Sequence, residues 1–203
     1  RDVERSRGLG DVYKRQEMWS DAGVSAVDMS ASYYFDDGYW NGNVWMSHQW
    51  FVWKTMLDNG DTDFAFAIAD RALEMWREET DFTYFTYECF GIKTRRGGWF
   101  HNFGGLSAPI VIWANAYYKP GTVTTGLDTW TDYQKVTDDS AEISFKYYGK
   151  NDSYSMLVTL SDNNSYKAYL DGKAVEFKNR NNGCMEFTFD GSVKHGVLKI
   201  EKA

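Results

Sequence analysis

Asn43-Val-Trp-Met-Ser-His-Gln-Trp-Phe-Val-Trp-Lys-Thr-Met-Leu-Asp-Asn-Gly60 decides the fold reading. Asn43 reads as a helix N-cap and Asn59-Gly60 as the stop. Between them Val44, Trp45, Met46, Trp50, Phe51, Val52, Trp53, Met56 and Leu57 cover most of the helix circumference. A helix apolar on nearly every side is expected to be buried on nearly every side. The next segment, about Thr62 to Glu79, is different. Ala65, Ile68, Ala69, Ala72, Leu73 and Trp76 recur at steps of three and one, while Asp63, Asp70, Arg71, Glu74, Arg77 and Glu78 fill the opposite side. That pattern predicts a helix with one apolar face. A third helix is expected from near Ser107, with Pro109 in its first turn, to just before Lys119-Pro-Gly121. Ala108, Ile110, Val111, Ile112, Trp113, Ala114 and Ala116 leave it almost no polar face.

Inner, outer, inner is the alternation of an α/α-toroid, in which a ring of buried helices is wrapped by amphipathic ones. A simple bundle would show one-faced helices throughout.

Beyond Gly126 the pattern shifts to short alternating segments at Ile143–Tyr147, Met156–Leu160, Tyr166–Leu170, Ala174–Phe177, Glu186–Phe189 and Val197–Ile200. Asp171-Gly172 is a type I′ hairpin signal. The expected class is therefore α+β: the C-terminal helices of a toroid over residues 17–125, then a small antiparallel β-sandwich module over 126–203. Residues 1–16 lack an initiator Met and carry five basic and three acidic residues. They resemble a translated sequencing-adapter remnant, and are expected to be non-native or disordered.

Tyr84-Phe-Thr-Tyr-Glu-Cys-Phe-Gly91 holds one charge, Glu88, among aromatic neighbours, with the Gly97-Gly-Trp-Phe-His-Asn-Phe-Gly-Gly105 run just after it. A carboxylate ringed by Tyr84, Phe85, Tyr87, Phe90, Trp99 and Phe103 is costly to bury without a purpose. Aromatic residues make up 18% of the chain, enough to line a ligand cleft as well as a core. A net charge of −7 argues against a nucleic-acid partner. No run approaches the length of a membrane span. Cys89 and Cys184 are far apart and read as free thiols. No phosphate loop, metal-ligand spacing or Ser/Cys nucleophile motif stands out, so no cofactor or metal is expected. What remains is carboxylate chemistry. Sugars present C–H faces to aromatic rings and hydroxyls to amides and carboxylates, so an oligosaccharide or glycoside is the expected substrate.

Gly38-Tyr-Trp-Asn-Gly-Asn-Val-Trp45 resembles the Tyr-Trp-Arg-Gly-Pro-Val-Trp-type motif of glycoside hydrolase family 63, the mannosyl-oligosaccharide glucosidase relatives, whose site logic trehalases share. The segment from Glu88 to Phe103-Gly-Gly105, leading into an apolar helix, is similar to that family's catalytic-base region. The resemblance covers roughly residues 37 to 118. It implies an (α/α)6 barrel and an inverting hydrolysis of α-glucosyl or related bonds. Glu88 would be the general base, with Tyr39, Trp40 and Trp45 shaping the sugar subsite. Asn41 replaces the motif's Arg, so a charged contact to substrate hydroxyls is lost and specificity is expected to differ. Trp99 and His101 join the candidates from the residue reading. The family's general acid is an Asp far upstream of the Glu. Asp28, Asp36 and Asp37 lie too near Glu88 to match it, so the chain alone is expected to be inactive. The rival reading is a non-catalytic carbohydrate-binding protein on the same scaffold.

Overall fold

The computed structural model describes residues 17–203, with Leu106 described by its backbone alone. The expectation for residues 1–16 lies outside the described residues. Two compact units divide the chain. One holds the residues up to Phe51 together with Ala67–Ile110, the other Val52–Phe66 together with Val111–Ala203.

Three complete α-helices lie among the described residues: α1 (Met46–Asp58), α2 (Thr62–Thr83) and α3 (Gly104–Tyr118). Gly60 ends α1, at φ +74°, with Gly60 N–H donating to Leu57 and Asp61 N–H to Met56 across the left-handed turn. The start of α1 departs from expectation. Val44 forms a two-way backbone bridge with Phe90, which keeps the chain extended there. Trp45 then supplies the first helical carbonyl, to Gln49, while Asn43 is buried and donates to Cys89 Sγ instead of capping.

The toroid expectation is overturned. Among the described residues thirteen strands in four sheets stand alongside the three helices, and strands occupy most of the chain after Thr122. The apolar helices are not enclosed on all sides either: Phe51 on α1 is 57% exposed, and Val111 on α3 is 63% exposed. The apolar content of α1 and α3 is real, but three helices followed by alternating strand sequence cannot close a ring. Among the described residues no helix is long and apolar enough to cross a membrane.

In the unit that ends at Ala203, the strands are β5 (Thr122–Thr125), β6 (Thr129–Val136), β7 (Ala141–Tyr147), β8 (Ser153–Thr159), β9 (Tyr166–Leu170), β10 (Lys173–Ala174), β11 (Lys178–Asn179), β12 (Cys184–Asp190) and β13 (His195–Lys202). They form two antiparallel sheets, ordered β10-β9-β13-β7-β6 and β11-β12-β8-β5. Period-two alternation builds the core between them. Ala141, Ile143, Phe145 and Tyr147 point inward from β7, while Glu142 and Lys146 point out. Tyr147 stacks on Tyr154 at 3.8 Å, and Phe145 on Phe189 at 5.4 Å, joining the two sheets. The other side of β8 is buried too, because Thr159 Oγ1 donates to the Ala116 carbonyl of α3. Trp53 Nε1 donates to the Tyr117 hydroxyl at 3.0 Å in the same layer.

The other unit holds two small hairpins, β1 (Trp19–Ser20) with β2 (Gly23–Val24), and β3 (Tyr87–Phe90) with β4 (Gly97–His101). The side-chain amide of Gln49 on α1 pairs both ways with the Val24 backbone, taking the place of a missing strand neighbour. Glu79 of α2, nearly fully buried, receives Arg96 Nε at 2.6 Å and Gly97 N–H at 2.9 Å, and so fixes the turn of the β3–β4 hairpin.

Candidate functional site

The stretch around Glu88 is a strand rather than a loop. Tyr87 pairs with His101 and Cys89 with Gly98, so two residues of β4, Trp99 and Phe100, stand opposite the single Glu88. Such a bulge bends the strand and re-aims side chains. Trp99 takes the left-handed conformation that the bulge demands, at φ +64°, where glycine is the usual occupant. The indole of Trp99 remains 59% exposed, with its ring centroid 4.8 Å from that of Tyr39.

Tyr39 comes from the tight turn that precedes α1. Gly38 N–H donates to the Phe35 carbonyl at 2.7 Å, and Asn43 N–H donates to Gly38 at 2.9 Å. Gly42 is required here, because a Cβ at that position would run into the Phe35 carbonyl oxygen. The turn sets Tyr39 edge-on to Trp40, Trp45 and Trp99, at centroid distances of 5.3, 4.8 and 4.8 Å. Trp45, fully buried, donates its indole N–H to the Tyr39 carbonyl at 2.7 Å. Trp40 stacks on Trp45 at 3.9 Å with 8° between the planes, yet is itself 54% exposed.

The Tyr39 hydroxyl donates to Glu88 Oε1. Glu88 is only 6% exposed, and its second oxygen, Oε2, is buried with no hydrogen-bond partner among the described residues. The phenol of Tyr39 is pushed up to about 12, first by that hydrogen bond, then by burial and the carboxylate's charge. The neighbouring Cys89 thiol is pushed up to about 11 by burial.

The expected ring of aromatics around Glu88 is only partly present. Tyr84 is 87% exposed, and Phe85 and Phe103 are also exposed. Their place is taken by Tyr39, which is distant in sequence. Of the candidate residues, the ring contacts and hydrogen bonds gather Glu88, Tyr39, Trp40, Trp45 and Trp99. His101 lies on β4 against Phe85, at 4.7 Å, outside that set of contacts. Asn41 is turned to the Tyr33 carbonyl, where it supports the turn. His48 was missed as a neighbour of the cluster. It lies 5.5 Å from the Trp40 ring and 6.3 Å from Trp45, and burial holds its imidazole below the usual histidine range. The signal was the three-residue step from Trp45 to His48 at a helix start, which puts both on one face. Among the described residues no group of three or more His, Cys, Asp or Glu side chains is placed to hold a metal ion.

A buried carboxylate with one oxygen held and the other open is an acceptor awaiting a donor. The half-exposed indoles of Trp40 and Trp99, which contact Tyr39, present flat apolar faces beside it. Residues 2–96 match the family model of the mannosylglycerate hydrolase MGH1-like glycoside hydrolase domain. This stretch is glycoside hydrolase-like. It includes Tyr39, Trp40, Trp45 and Glu88, while Trp99 and His101 fall just beyond it. The match does not single out family 63. No curated protein matches the chain.

Proposed function

We propose that this chain is the part of a glycoside hydrolase that supplies the general base, Glu88, to the inverting cleavage of an α-linked glucosyl or mannosyl unit. The observation that carries this reading is the Glu88 carboxylate, buried, fixed through Oε1 and, among the described residues, unpartnered at Oε2. An oxygen in that state needs a hydrogen-bond donor, and the attacking water is the donor the reaction supplies. In the step proposed, water attacks the anomeric carbon and Glu88 takes its proton. A second carboxyl group, as its acid form, gives a proton to the departing glycosidic oxygen. Trp40 and Trp99 form the walls against which the sugar's C–H faces stack.

The matched family's description adds mannosylglycerate, a sugar linked to a small carboxylic acid, to the candidate substrates. In the intact gene product, Glu88→Gln should abolish release of free sugar from mannosylglycerate and from 4-nitrophenyl α-glucoside. Binding of either compound, followed by tryptophan fluorescence, should persist. Unchanged turnover removes Glu88 from the mechanism. Binding without any hydrolysis by the wild type favours a carbohydrate-binding role.

A further inference from the structure

Tyr39 carries a role that a sugar subsite does not explain. Its hydroxyl donates to Glu88 Oε1, so it is already engaged, and it belongs to the carboxylate rather than to a ligand hydroxyl. The ring is edge-packed by three tryptophans at 4.8 to 5.3 Å, and the Trp45 indole N–H locks the residue's own carbonyl at 2.7 Å. Trp45 is in turn immobilised, fully buried and at the first turn of α1. A phenol held by its backbone and by three ring edges has little freedom in where its O–H points.

We infer that Tyr39 is a positioning residue for Glu88, held in place by Trp45, and not a sugar contact. By occupying Oε1 it fixes the carboxylate plane and leaves Oε2 as the oxygen that meets water. This rests on the reading of Glu88 as the base, and it moves Tyr39 and Trp45 from the sugar subsite to the support of that base. Trp40 and Trp99, half exposed, keep the role of touching sugar. Cys89 and Tyr87 flank Glu88 along β3, and His48 lies beside Trp40 and Trp45. Of these, Cys89 is the one whose charge acts on the Tyr39 phenol besides that of Glu88.

Two measurements test it. With tyrosines labelled at the ring Cζ carbon, the resonance lost in Tyr39→Phe identifies Tyr39. Its titration is expected near 12 in the wild-type chain. In Glu88→Gln it should fall by more than about one pH unit toward the ordinary tyrosine value. An ordinary titration in the wild type overturns the inference. In the intact gene product acting on 4-nitrophenyl α-glucoside, Tyr39→Phe should lower kcat roughly ten- to a hundredfold with KM nearly unchanged. Trp40→Ala should mainly raise KM. Tyr39→Phe keeps the ring among its three indoles, and an unchanged near-ultraviolet circular dichroism spectrum confirms that the packing is kept. A raised KM at constant kcat makes Tyr39 a sugar contact and overturns the inference, while the reading of Glu88 survives. Full activity in Glu88→Gln overturns that reading itself.

Discussion

Glu88 and Glu186 are both buried carboxylates on β-strands, and they are treated in opposite ways. Glu186, on β12, is 2% exposed and receives Arg180 through both oxygens, Nε at 2.6 Å and Nη2 at 2.9 Å. Arg180 also reaches Asp63 at 2.7 Å and lies over the Phe66 ring. Each carboxylate oxygen is answered by its own guanidinium N–H, a two-bond pairing suited to holding strand and helix together. Glu88 receives one phenol, and its other oxygen has no partner among the described residues. Burial alone therefore does not distinguish a structural acid from a chemical one. What separates the two is the second oxygen, answered in Glu186 and without a partner among the described residues in Glu88.

The comparison can be broken first at Arg180. Arg180→Met leaves Glu186 buried and without its pair, and should destabilise the chain by about 3–5 kcal/mol in urea unfolding. Lys178, 3.9 Å from Glu186, is too distant to replace the paired geometry. A loss under 1 kcal/mol would mean that Glu186 is not held as described.

Glu79 falls in between. Burial pushes its carboxyl up, but the Arg96 guanidinium and the Gly97 N–H outweigh that and hold it below the usual range. A depressed folded-state value means stability that is present above the ordinary glutamate range and lost as pH falls through the folded value. Half of Arg96 is exposed, so solvent screens the pair. Glu79→Ala should cost roughly 1–3 kcal/mol, mainly through the unmet Gly97 amide and the freed hairpin turn. It should also flatten the acid limb of the stability curve. Amide exchange at residues 95–97 that is unaffected by the substitution would refute the clamp.

The smallest expected effect sharpens the contrast. Glu88→Gln should change unfolding free energy by less than about 1 kcal/mol, since it removes a charge that the fold does not satisfy. The same substitution is the one expected to end turnover. A large stability loss would put Glu88 in the class of Glu186.

Many of the strand segments were legible because period two is unambiguous where one face is buried. Ile143–Tyr147 lies in β7, Tyr166–Leu170 is β9, and Asp171-Gly172 makes the expected turn with both residues at positive φ. Strands β5 and β6 escaped notice. Threonines dominate β5, and β6 exposes most of its residues, so neither shows a clean apolar face. The three helices were legible for the opposite reason, being dense in apolar residues. That density says only that a helix has much to bury, and it gave a toroid where the chain continues into sheets. At the site, Glu88 was visible as a lone charge among aromatics. Tyr39 was legible only as a subsite candidate; its bond to Glu88 was not, because the two lie 49 positions apart and a local stretch carries no record of such a contact.

Trp99 sits in a left-handed bulge position that glycine fills without strain, and its side chain is mostly in solvent. Trp99→Gly relieves that strain but gives up the edge contact with Tyr39 and frees the unfolded chain, so the net change in stability should stay within about 1 kcal/mol. If its indole is a wall of the sugar site, the same change weakens ligand capture. A screen for survival on heating would then be nearly blind to this codon, whereas a screen for growth on the glycoside would hold it to tryptophan.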